Sequence, residues 1–108
     1  MARYRTTVSS TMSVTEAFAY MVAFENVARW DPGATKATRV TPGEPRLGTQ
    51  FDVEVSFFGR GLPLRYEITS FEANSSFVLA AEAPSFRSVD TVTVVADGSG
   101  SRITYDAD

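Results

Sequence analysis

Asp90 and Tyr66 are the side chains in this sequence with the best claim to chemistry. Asp90 stands in VDTVTV and shares strand parity with Val92 and Val94, so alternation can turn its carboxyl toward an apolar face. A carboxyl held there is desolvated, holds its proton more tightly, and can act as a base or bind a ligand hydroxyl. The plainer placement is a strand-end aspartate in water. Tyr66, in LRYEI, offers a phenol that orients a ligand carbonyl or merely satisfies one buried hydrogen bond.

The missing residue types say more. The chain has no histidine and no cysteine. Ser-His-Asp catalysis, a His base near neutral pH, thiol nucleophiles, disulfides and zinc-thiolate sites are therefore excluded. Acid–base work would fall to Asp, Glu, Tyr or the single lysine, Lys36. Asp106 and Asp108 alternate on one face, but two carboxylates alone make a poor metal site. Gly59-Arg60-Gly61 lacks the strand-to-helix setting of a nucleotide loop and reads as a hairpin turn. No cofactor, no metal and no catalytic set is assigned; Asp90 and Tyr66 remain candidates.

These groups must be positioned by one domain, residues 1–108, since that length supports a single core. Hydrophobic residues at 44% and charged ones at 21% give ordinary globular composition. Thirteen acidic against ten basic residues leave a net charge of -3 and no clustered Lys and Arg, which argues against nucleic-acid binding. The opening MARYRTTVSS has no signal-peptide apolar run and nothing approaches a membrane span, so a cytoplasmic address without membrane insertion is the default.

Tyr4 to Ser10 reads as a first strand. Ser13 and Glu16 form a capping box, followed by a stripe of Val14, Ala17, Phe18, Met21 and Val22. Asn26 is placed as the cap of a second short helix through Trp30, ended by Pro32 and Gly33. From Lys36 the period becomes two. Strands are expected over Lys36–Val40, Gln50–Phe58, Leu62–Thr69, Phe77–Glu82, Phe86–Ala96 and Ser101–Ala107, with turns between them. The fold class is α+β: an antiparallel sheet of about seven strands with two short helices after strand one. Those helices are too small to cover the whole apolar face.

Alternation nominates Phe51, Val53, Val55, Phe57, Leu64, Tyr66, Ile68, Phe77 and Leu79 for the inner wall, as pocket lining or as core. Val78 and Ala80 compete with the last two. Asp90 and Val92 join them by parity. Trp30, the only tryptophan, lines a cavity mouth or anchors its helix to the sheet. Arg102 with Asp106, and Arg65 with Glu67, are read as solvated outer-face pairs.

RWDPG at 29–33, LGTQFDV at 47–53, PLRYEITSFE at 63–72, VDTVTV at 89–94 and SRITYDAD at 101–108 follow one another in an order that resembles the SRPBCC superfamily. This is the helix-grip or START-like fold, and the likeness is to its polyketide cyclase/dehydrase-like branch. The resemblance implies a curved sheet gripping a long C-terminal helix, with an apolar cavity that takes lipids, polyketides or sterols. Some members are cyclases or dehydratases. Here the sequence stops at Asp108 without that helix, so a truncated form is expected, or a homo-oligomer, most simply a dimer, in which a second copy covers the concave face. The reading is a non-catalytic module binding a hydrophobic small molecule; the alternatives are a cyclase/dehydratase acting through Tyr66 or Asp90, and a self-associating assembly module.

Overall fold

In the computed structural model, residues 4–57, 59–84 and 86–108 are described, without the side chains of Phe57 and Phe86. The inward placement expected of Phe57 therefore lies outside the described residues. Strands β1 (Tyr4–Ser10), β2 (Ala34–Arg39), β3 (Gln50–Phe57), β4 (Arg60–Glu72), β5 (Ser76–Ala83), β6 (Phe86–Asp97) and β7 (Gly100–Ala107) form one antiparallel sheet. Its order is β1-β7-β6-β5-β4-β3-β2, curled into a half-barrel. The first two strands thus occupy opposite edges. The segment between them must cross the whole concave side, and it does so as helix α1 (Val14–Val22), a 3-10 turn (Phe24–Asn26) and helix α2 (Val27–Trp30).

Helix α1 starts where its cap chemistry dictates. Glu16 N donates to Ser13 Oγ at 3.2 Å and Ser13 N donates to Glu16 Oε1 at 3.0 Å. Ala17, Phe18, Met21 and Val22 then face inward and are buried. Asn26 holds the N-cap position of α2 but makes no side-chain cap bond there: its side-chain amide donates to the Tyr20 carbonyl at 3.0 Å, tying the 3-10 turn back to α1. The chain leaves α2 at Asp31, whose Oδ1 accepts from Gly33 N at 2.9 Å.

The crossing segment covers more of the sheet than its length suggests. Phe18 packs edge-on against Phe71 and Phe77, both at 5.6 Å between ring centroids. Phe24 reaches Phe51 at 5.9 Å and Tyr66 at 5.3 Å. Phe51, Val53, Leu64, Tyr66, Ile68, Phe77, Leu79 and Val92 are all buried, and Val55 is partly so. The expectation that this wall stays uncovered is corrected: a curled sheet brings its inner faces together, and two phenylalanines fill the space between.

Two bulges shape the strands. One between Ala34 and Lys36 starts β2 earlier than the alternation does. The other, between Ile68 and Ser70, shifts parity so that Phe71 also turns inward and β4 runs on to Glu72. The outer-face pairs differ from those expected. Arg65 stands opposite Asp52 and binds it through Nε at 2.7 Å and Nη2 at 3.0 Å; Arg102 pairs with Asp97 at 3.4 Å, and Asp106 with Arg5 at 4.0 Å. Cross-strand register, not spacing along one strand, selects the partner.

Candidate functional site

The open part of the concave side lies between the β1/β7 edge and the helices. On β1 the inward positions are Tyr4, Thr6, Val8 and Ser10, set opposite Ala107, Tyr105, Ile103 and Ser101 of β7. Tyr4 remains 60% exposed and Val8 52%, although both lie on the sheet's inner face. Two hollows of about 450 and 380 Å³ adjoin here and share Tyr4, Thr6, Trp30 and Tyr105. The first continues to Asp31, Pro32 and Ala107; the second to Val8, Met12, Tyr20, Met21 and Ile103. Another depression of about 710 Å³ lies on the outer face among Lys36, Asp52, Glu54 and Arg65, where Arg65 and Asp52 already pair with each other. The concave cleft has the apolar walls that ligand sites favour.

An aromatic chain runs from the cleft into the core. Tyr4 lies 6.3 Å from Tyr105, Tyr105 lies 5.1 Å from Trp30, and Trp30 lies 6.2 Å from Phe24. Trp30 is half-buried, so it does both things considered for it: it anchors α2 and it forms cleft wall. Its Nε1 is buried without a hydrogen-bond partner.

Behind Tyr105 sits a polar relay. Tyr66 Oη donates to Ser88 Oγ at a long 3.4 Å, and Ser88 Oγ donates to Asp90 Oδ1 at 2.9 Å. Tyr105 Oη donates to Asp90 Oδ2 at 2.6 Å. All three bonds run toward Asp90, so the carboxylate is the terminal acceptor. It is only 1% exposed. The water-facing strand end is thus corrected: Asp90 pairs in register with Leu79 on one side and Ala107 on the other, well inside the sheet.

The protonation equilibria follow from this burial. Desolvation raises the Asp90 carboxyl above its ordinary range, while the hydrogen bonds from Tyr105 and Ser88 pull it back. Tyr66 is pushed up to about 12, first by burial and then by the charge of Asp90. Tyr105 is raised further still by the same causes. Both phenols remain neutral donors at physiological pH.

A carboxyl whose pKa is higher folded than unfolded binds its proton preferentially in the fold. Its contribution to stability grows as pH falls through the folded value toward the unfolded one, near 3.8. The melting-temperature gap between wild type and Asp90→Asn is therefore expected to move in the wild type's favour from pH 8 to pH 4.5. Paired thermal melts check this; a gap that is constant or moves the other way contradicts the burial effect.

Of the residues nominated from the sequence, Trp30 borders the cleft, while Tyr66 and Asp90 connect to it through hydrogen bonds. Phe51, Val53, Leu64, Ile68, Phe77, Leu79 and Val92 pack in the core. Tyr4, Val8, Met12, Tyr20, Ile103 and Tyr105 were not nominated, though the alternation of Tyr4-Thr6-Val8 and of Ile103-Tyr105-Ala107 could have drawn notice. Among the described residues no three or more Asp or Glu side chains gather to hold a metal, and no helix is long and apolar enough to cross a membrane.

A half-barrel sheet with its crossing helices and concave apolar cleft defines the START-like, helix-grip class. The chain belongs to the polyketide cyclase/dehydrase and lipid transport family, which matches residues 1–108. Solved structures agree on the fold. A START superfamily protein from Mycobacterium smegmatis superposes with a TM-score of 0.74 at 16% identity, covering 98% of this chain and 74% of that one. Major latex-like protein 151 from Panax ginseng gives 0.72 at 15% identity, covering 99% and 77%. A fragment of a STAR-related lipid transfer protein from Xanthomonas axonopodis gives 0.75 at 14% identity, covering 98% and 67%. No curated protein matches the chain.

Proposed function

We propose that this protein is a non-catalytic binding module for a hydrophobic small molecule of lipid or polyketide type, seated between β1/β7 and the helices. The observation that carries this is the pair Tyr4 and Val8, exposed on the inner face beside Trp30 and Tyr105 while Phe51, Val53, Leu64, Ile68, Phe77, Leu79 and Val92 of the neighbouring wall are buried. Apolar surface concentrated in a concavity marks a binding site more than scattered exposure does. The family's lipid transport members and the Xanthomonas neighbour, a STAR-related lipid transfer protein, support the same ligand class. The sealed position of Asp90 supports a non-catalytic role, since a molecule in the cleft meets the ring of Tyr105 and not the carboxylate behind it.

Nile red, an uncharged apolar dye, tests the reading. Micromolar or tighter binding is expected, weakened at least tenfold, or about 1.4 kcal/mol, by Val8→Asp. Val8 is exposed on an edge strand, so that substitution spares the core. Light scattering on the same samples tells a ligand site from a face covered by a second copy. A monomer that binds no dye would sink the proposal.

A further inference from the structure

The cleft's charge is one-sided. Strand alternation sends the cations of β1 and β7 to the outer face, where Arg5 pairs with Asp106 and Arg102 with Asp97. Neither hollow is lined by a lysine or arginine among the described residues. The one charged group among the described lining residues is Asp31, half-buried at the exit of α2 and held in place by its bond to Gly33 N. Asp90 stands 2.6 Å behind the Tyr105 hydroxyl. The negative field of Asp31 reaches inward, adding to the raised proton affinity of Tyr66, Asp90 and Tyr105. Among the described lining residues, an anionic head group brought into this space meets one carboxylate at the wall, a second behind it, and no cation.

We infer that the cleft selects apolar molecules without an anionic head group and excludes carboxylate lipids. This rests on the binding reading above and adds the electrostatic class of the ligand. Like-charge repulsion in a partly desolvated site acts at lower effective dielectric than in bulk water, so one half-buried carboxylate suffices to discriminate. Neutral ligands lose nothing to it.

The experiment uses three probes with one twelve-carbon chain and different head charges: dodecanol, dodecylammonium and dodecanoate, each below micelle formation. Trp30, the sole tryptophan and part of the cleft wall, reports binding through its own emission. Dodecanoate is expected to bind at least tenfold more weakly than either of the others at pH 7.5 and 50 mM salt. Asp31→Asn keeps the oxygen that accepts from Gly33 N and should narrow the gap between the two charged probes at least threefold. Glu82→Gln, on the outer face beside Arg87, should leave it unchanged and controls for overall net charge. Raising salt to 1 M should narrow the wild-type gap as well, independently of any variant.

Dodecanoate binding as tightly as dodecylammonium would overturn the charge selection while leaving the binding reading intact. A gap that Asp31→Asn and Glu82→Gln alter equally would overturn the assignment to the cleft. Silence from all three probes, with Nile red also unbound, would remove the binding reading and this inference together.

Discussion

Phe24→Ala is expected to lose about 3–5 kcal/mol of folding free energy. The ring is 1% exposed and touches three others: Tyr66 at 5.3 Å, Phe51 at 5.9 Å and Trp30 at 6.2 Å. It stands on a 3-10 turn that has no side-chain bond at its N-cap, so ring packing adds to the Asn26–Tyr20 tie in fixing the turn. Domains of this size hold about 5–15 kcal/mol in all. Removing the ring would therefore take a large share and lower the melting temperature by roughly 12 °C or more. Phe24→Leu keeps most of the volume and should cost under about 1.5 kcal/mol. Urea unfolding followed through Trp30 emission measures both. An alanine variant within 1 kcal/mol of wild type, on the scale of an exposed-site change, would show that the crossing segment does not seal the inner wall.

Alkali should unfold the protein through its buried phenols. An unfolded tyrosine ionises near 10, whereas Tyr66 in the fold holds its proton to about 12. Because the unfolded state gives up that proton first, stability falls as pH rises above 10 and keeps falling until the folded phenol also ionises. Tyr66 alone removes about 3 kcal/mol across that window. Tyr105 acts in the same direction over a wider range. Phenolate absorbance should therefore rise together with loss of the sheet's circular dichroism between pH 10 and 12. In Tyr66→Phe the loss over this interval should shrink by about 3 kcal/mol relative to wild type. Full phenolate absorbance at pH 11 with a native dichroism spectrum would refute the assignment.

The elements were largely legible because each rests on local chemistry. The bounds of β1, the capping box at Ser13 and the alternation through Phe51, Val53 and Val55 need only neighbouring residues. The inward parity of Asp90 was readable too. Its company was not: Tyr105 arrives from β7, and nothing near Asp90 in sequence announces it. The cleft was missed for the same reason, since β1 meets β7 across almost the whole chain. Where a bulge interrupts the period, as at Ile68 and Ser70, alternation stops predicting and the strand looks shorter than it is. Arg65 shows the limit of spacing along one strand, because its partner Asp52 is set by the β3–β4 register.

The pairing of Tyr4 with Ala107 and of Ser10 with Ser101 has a consequence for how the protein is made. On a ribosome the hairpins from β3 to β7 can zip up in the order they emerge, each on its predecessor. The opening strand cannot join them until the seventh has left the exit tunnel. Until then its threonines and Val8 wait unpaired, and the half of the cleft they form does not exist. The cleft therefore exists only in the finished fold, and the slow long-range closure that creates it is the step most exposed to misassembly.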